Sequence, residues 1–392
     1  MKLRRSYPFI TLVLLCWSLV SCNSSSNAPQ QNAKEIVRYP EKKDMVLLTD
    51  RPPQLETPLN IFRQDITPNE YFFVRWHMSQ IVTKIDIDTF RLYIGGAVNK
   101  TLALSMNDLK TKFAADSITA LAICAGNSRS TFVPKVPGSQ WVNGGMGNAK
   151  WKGVRLKDIL KMAGVKQGAI DVTFEGLDRP PLPATPQFVK SLDVNHAMDG
   201  EVMIAYEMNG TPLPMLNGYP LKLIVPGWYA TYWVGSLSNI NVLTDTFHGF
   251  WMAKAYQIPK EPGLNEKPDS LAKATVPINR INLHSIFVEP DTTVAVNKHC
   301  VVEGLAFDDG TAIKKVEVSF NDGKTWVEAK LNPEIAKYSW RRWTCDWVPK
   351  ATGTYRLKVR ATDMAGRTQP DKQWNRGGYG RGFIEHLDVI VN

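Results

Sequence analysis

Cys124 ends the apolar run Ile118–Ile123 and is followed at once by Ala-Gly-Asn-Ser-Arg129. A strand that runs into Gly126, Asn127 and Ser128 delivers its thiol onto a loop, because these residues tolerate the backbone angles of tight turns. Arg129 is a nearby cation, and a cation favours the thiolate, the form that ligates metals or attacks electrophiles. The same residues read equally as a buried cysteine that only packs. A second candidate lies in Tyr71-Phe-Phe-Val-Arg-Trp-His77, where Arg75 and His77 are two apart. In an extended segment they share one face, while Phe72, Val74 and Trp76 take the other. That pattern suits an anion-binding wall or a solvated edge strand. A third cluster, Trp228-Tyr-Ala-Thr-Tyr-Trp233, concentrates aromatics after the Pro226-Gly227 turn and reads as core or as the wall of a ligand site.

Strands are expected at Phe90–Val98, Leu102–Leu104, Ile118–Ile123, Asp171–Phe174, Val202–Met208 and Pro220–Val225. Ser105 opens a short helix through Lys112, with Ser105 and Asp108 as a capping box. A second helix follows Trp151, with Val154, Ile159, Leu160 and Ala163 on one face. The proline-rich Arg179-Pro-Pro-Leu-Pro183 is an excursion over the mouth of a site. From about Arg280 the rhythm becomes all β, with Asp308-Asp-Gly310 and Asn321-Asp-Gly323 turns and alternation at Val316, Val318 and Phe320. The fold class is therefore α+β: a mixed domain over residues 55–279, then an immunoglobulin-like β-sandwich over 280–392.

The 392 residues suffice for two or three sizeable cores, and 44% hydrophobic content excludes a disordered chain. The net charge of +10 is spread without a basic run, which argues against nucleic acid and suits a small anion. Lys2, Arg4 and Arg5 precede the apolar run Phe9–Val20 and Leu19-Val-Ser-Cys22, so residues 1–22 read as an export signal with lipid attachment at Cys22. The Arg4-Arg5 pair fits either a twin-arginine signal or an ordinary basic start. Residues 23–54 are a polar tether, and the expected address is the bacterial periplasm, with membrane contact through the lipid alone. No Cys-x-x-Cys or Cys-x-x-Cys-His occurs, which excludes a c-type haem and a ferredoxin pattern on this chain. Cys300 and Cys345 either pair as a disulfide or stand as two buried thiols.

In their order along the chain, Phe73-Val-Arg-Trp-His77, Cys124-Ala-Gly-Asn-Ser-Arg129, Trp141, Trp151-Lys-Gly-Val-Arg155, Leu177-Asp178, Ala205-Tyr-Glu-Met-Asn-Gly210, Gly218-Tyr-Pro-Leu-Lys222, Val225-Pro-Gly-Trp-Tyr229 and Gly249-Phe-Trp-Met-Ala-Lys-Ala-Tyr256 resemble the sulfite oxidase family of molybdenum enzymes. The resemblance is to its bacterial periplasmic sulfite dehydrogenases in particular. It implies molybdopterin with molybdenum, Cys124 being the protein ligand to the metal. It implies a pterin cradle of Phe73, Val74, Arg75, Trp76, His77, Asp178, Asn217 and Lys222. The catalytic set it implies is Arg75, His77, Arg129, Tyr256 and a C-terminal arginine, Arg381 in preference to Arg376. Sulfite would be oxidised to sulfate by oxygen-atom transfer, with electrons passed to a separate c-type cytochrome. The sandwich resembles the family's dimerisation domain and would allow a homodimer. Ser128, Asn217, Tyr232 and Gly235 stand where the family often holds arginine, histidine, arginine and lysine. These departures keep two other functions in view, a molybdenum oxidoreductase for another oxyanion or a sulfoxide, and a cofactor-free cell-surface binding protein.

Overall fold

The computed structural model describes residues 35–260, 265–288 and 292–392. The expected export signal, Cys22 and the start of the tether lie outside them. Along the chain come β1 (Ile36–Val37), β2 (Met45–Asp50), β3 (Pro53–Glu56), β4 (Val74–Arg75), β5 (Leu92–Gly96), β6 (Leu102–Leu104), α1 (Met106–Lys112), β7 (Ala115–Ile123), β8 (Met146–Arg155) and α2 (Leu156–Ala163). Then follow β9 (Asp171–Gly176), β10 (Val189–Asp193), α3 (Val194–Met198), β11 (Met203–Met208), β12 (Thr211–Pro212), β13 (Lys222–Ile224), β14 (Leu237–Leu243) and α4 (Phe250–Ala253).

Three sheets frame the site: β1-β2-β3-β4, β10-β9-β14-β5-β6, and β12-β11-β8-β7 with β13 beside β11. The first corrects the expected tether. Residues 36–56 are largely strand, and Met45 and Leu55 are buried with Val74 and Trp76 in one apolar cluster. The segment's polar composition hid two inward residues, Met45 and Leu55. Register sets Gln54 opposite Arg75 and Leu55 opposite Val74, so this N-terminal sheet fixes which way Arg75 points.

β7 and β8 pair without interruption from Ala115–Val154 to Ile123–Met146, ending at the cysteine. The expected helix after Trp151 starts later, because Trp151–Arg155 finish β8 and Val154 packs from a strand. Ile159, Leu160 and Ala163 do share the buried side of α2, which Gly164 ends at φ 70°. The Ser105 capping box forms with both of its bonds: the Asp108 amide donates to Ser105 Oγ, and the Ser105 amide donates to the Asp108 carboxylate.

Past Gln257–Pro259 and Thr275–Pro277, which pair as a small ribbon, two sheets of four and five strands share one apolar cluster. Ala306, Trp343 and Cys345 enter it from one sheet, Val316, Val318, Leu357 and Val359 from the other. Alternate residues face inward on each strand, as a two-layer β structure requires. Cys300 lies opposite Trp347 and Cys345 opposite Val302, so the two sulfurs are out of step and not joined to each other.

Candidate active site

Cys124 follows β7, is 7% exposed, and lines a cleft enclosing about 740 Å³ with its solvent mouth included. Its loop is tied down on all sides. The Cys124 amide donates to Gly145 O at 2.8 Å, the Asn127 amide to Cys124 O at 2.9 Å, and the Gly145 amide to Asn127 Oδ1 at 2.8 Å. Ser128 holds φ 63°, and its hydroxyl donates to Asn143 Oδ1 at 2.5 Å. A thiol on a loop this fully hydrogen-bonded is held in one place, which a metal ligand requires and a packing cysteine does not.

Around the cleft stand Phe73, Arg75, Trp76, His77, Asp178, Asn217, Lys222 and Tyr256, together with Phe188, Thr231 and Trp233. His77 stacks on Phe188 at 3.6 Å between ring centres, and its Nε2 shares a 2.5 Å hydrogen bond with Tyr256 Oη. Burial, reinforced by Arg75 and Lys190, holds His77 well below its ordinary pKa, so it is neutral. Burial pushes the Tyr256 phenol up, and it stays protonated. Desolvation raises Asp178 to about 6. Tyr256 sits at φ 56°, a strained conformation for a bulky residue and one that aims its ring into the cleft wall.

Three expected site residues stand elsewhere. Val74 is fully buried on the opposite face of β4, in the cluster with Met45 and Leu55, so it supports the site from behind. Arg129 is packed against Gly126, Gly138 and Gly378, where any added Cβ would fall within 3 Å of its side chain. Its Nε donates to Gly377 O and its Nη1 to Ser139 O, both at 3.1 Å, while the Tyr379 ring lies 5.0 Å from its Cζ. Arg381 does not reach the cleft. Its guanidinium is buried against Glu385 at 3.2 Å and bonds His284, Thr131 and the Phe383 carbonyl, so its donors are spent. Arg376 is likewise engaged, by Glu266 at 2.6 Å. From the same tail it is Tyr379 that reaches Tyr256, the two rings stacked at 5.1 Å.

Two lysines escaped the sequence reading. Lys190, on β10, is fully buried with its Nζ donating to Trp251 O at 2.8 Å, 4.4 Å from the Tyr232 ring centre and 5.4 Å from that of Tyr256. Lys42 is 5% exposed and bonds Asn217. A lysine in a strand or a polar segment reads as solvated, so no sequence signal marked either one.

Residues 78–251 match a family described as an oxidoreductase molybdopterin binding domain, and residues 275–380 match a Mo-co oxidoreductase dimerisation domain. Human mitochondrial sulfite oxidase is 33% identical over 379 residues, covering 92% of this chain and 68% of that protein. The chain belongs to the sulfite oxidase family. Rat sulfite oxidase is also 33% identical, over 354 residues that cover 84% of this chain and 62% of the rat protein. A nitrate reductase [NADH] of rice is 30% identical over 80% of this chain and 37% of its own length. The sulfane dehydrogenase SoxCD of Paracoccus pantotrophus shares the fold, with a TM-score of 0.75 over 96% of this chain and 95% of that chain at 24% identity.

The family's molybdopterin fits the residues present. Cys124 supplies a soft sulfur donor in the cleft. The aromatic wall of Phe73, Trp76 and Trp233 suits a flat ring system, and Thr231 Oγ1 is a buried cleft-side group without a hydrogen-bond partner among the described residues. Lys222 faces the cleft, where an anionic group would compensate its charge.

Burial alone lowers Lys190 to about 7 and Lys222 to about 8, and burial is the main cause that lowers Lys42 to about 7. Unfolded lysines keep their protons to about pH 10.4. Between pH 7 and 10 the unfolded chain therefore binds more protons than the folded one, and stability rises with pH. We expect the melting temperature of the cofactor-free protein to climb from pH 7 to 9.5, and Lys190→Met to flatten the climb. A flat or falling profile in the parent protein would contradict the three desolvated amines.

Proposed function

We propose that the protein oxidises sulfite to sulfate, SO₃²⁻ + H₂O → SO₄²⁻ + 2H⁺ + 2e⁻, and hands the electrons to a separate c-type cytochrome. The observation that carries this is that Cys124, Arg75 and the hydrogen-bonded His77–Tyr256 pair line a single cleft. Molybdopterin, when bound, supplies the two-electron oxygen-atom transfer. The chain's own groups would do the rest. Arg75 offers charge-assisted donors to the anion's oxygens. The protonated Tyr256 would donate to a sulfite oxygen, with neutral His77 Nε2 orienting its hydroxyl. Arg129 and Lys190 add positive potential from behind the wall, where low polarity strengthens it. The aromatic lining limits water at the reacting end.

Membership of the family and retention of the thiol argue against the cofactor-free binding protein. A different oxyanion or a sulfoxide is the second reading, and it draws support from the engagement of Arg376 and Arg381 by carboxylates away from the cleft. Protein from a molybdenum-competent host should carry about one molybdenum per chain and reduce an added c-type cytochrome when given sulfite. Metal-loaded protein that reduces sulfoxides with a reduced dye and ignores sulfite would favour the second reading. Export to the periplasm with a lipid on Cys22, and a homodimer through an immunoglobulin-like C-terminal domain, complete the proposal. Labelled fatty acid incorporation lost in Cys22→Ala tests the first of these, and sedimentation tests the second.

A further inference from the structure

Residues 41–43 form a turn between β1 and β2 that grips both loops of the cleft's far end. On one side the Lys42 Nζ donates to Asn69 O at 2.6 Å and to Phe72 O at 2.9 Å, and the Lys43 amide donates to Glu70 O at 3.0 Å. On the other side the Lys42 Nζ donates to Asn217 Oδ1 at 2.6 Å, while the Glu41 carboxylate accepts the Met215 amide at 2.7 Å. The first loop carries Phe72 and Phe73 into the cleft, and the second carries Leu216 and Asn217. The turn is built for this, since Glu41 adopts φ 63° to aim consecutive side chains at the two loops.

An ammonium group has three protons and no acceptor, so all three of its bonds are donated. Asn217 must therefore present its oxygen to Lys42 and its NH₂ to the other side, where Nδ2 bonds Phe73 O at 3.0 Å. Lys222 in turn donates to the Asn217 carbonyl at 3.1 Å. The donor end of the amide is thus turned toward the Phe73 wall, and the Lys222 ammonium is drawn to the same place. Gly235, where the family often holds a lysine, packs so tightly on Gly218 that its missing Cβ would lie 3.0 Å from the Gly218 Cα. At this end of the cleft a lysine from the N-terminal segment joins Lys222 on Asn217.

We propose that Lys42 is a positioning residue for the anionic end of the bound cofactor: it fixes the Asn217 amide with its NH₂ on the Phe73 carbonyl, ties the two loops together, and places a second buried amine beside Lys222. This rests on the molybdopterin reading. Because the lysine acts through Asn217 and the loops, its loss should appear as cofactor release. Wild type, Lys42→Met, Glu41→Ala and the same-segment control Arg38→Ala, which removes an exposed ion pair with Asp44, are purified from a molybdenum-competent host. Molybdenum per chain and the fluorescence of released, oxidised pterin are measured before and after dialysis, and the melting of each cofactor-free form is recorded. Lys42→Met should retain about tenfold less cofactor than wild type, the scale seen when a group behind a ligand is removed, and Arg38→Ala should match wild type. If Lys42→Met loses its cooperative melting, the decision passes to Glu41→Ala, which leaves the lysine in place and should release pterin several-fold faster than wild type. Wild-type retention in a folded Lys42→Met, or in Glu41→Ala where that variant decides, overturns the assignment while leaving the molybdopterin reading intact. Wild-type protein without molybdenum overturns that reading, and this assignment with it.

Discussion

Cys124→Ser should abolish sulfite turnover and leave the protein folded. The side chain is small, sits at a strand end, and has its loop held by bonds that serine would keep: the Cys124 amide to Gly145 O, the Asn127 amide to Cys124 O, and the Gly145 amide to Asn127 Oδ1. What changes is the donor. A thiolate is soft and strongly electron-releasing, whereas a serine hydroxyl is hard and stays protonated at neutral pH. Altering a group behind a metal ligand typically costs 10- to 100-fold in affinity or activity, so exchanging the ligand itself should exceed that and bring turnover to background. Pterin should remain, because the cleft's remaining lining is untouched, and the charge-transfer absorption of a metal–thiolate bond should vanish. The measurement is turnover per pterin, with the absorption spectrum and thermal melt alongside. Activity within tenfold of wild type would remove Cys124 from the metal.

Much of this site was legible because chemistry and pattern coincided. Ile118–Ile123 reads as a buried strand and Gly126-Asn-Ser128 as a turn, and the thiol between them has one place to go. Strand alternation sends Arg75 to the cleft and Val74 to the core, but β4 ends at Arg75, and Phe72 and Trp76, expected on the far face, line the cleft beside His77. The Ser105 cap was visible because its partners are three residues apart. Long-range partners left no local trace. Lys42 and Lys190 have the composition of solvated residues, and only the packing of β1–β3 and β10 makes them interior. Arg381 and Tyr379 are two residues apart in a glycine-rich tail, and which of them meets Tyr256 depends on Glu385 and His284 holding the arginine back. The tether was misjudged for a related reason, since four inward side chains, Met45, Leu55, Val74 and Trp76, come from segments about 20–30 residues apart.

Arg75→Met should lower kcat/KM for sulfite about 10²- to 10³-fold, the range found when a preorganised donor to a developing charge is removed. Two cations were expected at the reacting end besides Arg75, yet Arg381 is paired with Glu385 and Arg129 spends Nε and Nη1 on carbonyls beneath Tyr379. Arg75 lines the cleft directly, with its Nη1 donating to Trp76 O. If it held only the cofactor, turnover expressed per molybdenum would be unchanged and metal content would fall. If it also holds substrate, KM for sulfite should rise even in fully loaded protein, and inhibition by sulfate should weaken in parallel. Arg75→Lys should recover only part of the loss, because an ammonium keeps the charge but not the planar fork that matches an oxyanion. Its methionine counterpart also removes one of the two cations that keep His77 neutral. The acidic limb of the kcat/KM profile should then move toward higher pH, since His77 would accept a proton more readily. A methionine variant with unchanged KM and an unshifted acidic limb would take Arg75 out of substrate binding.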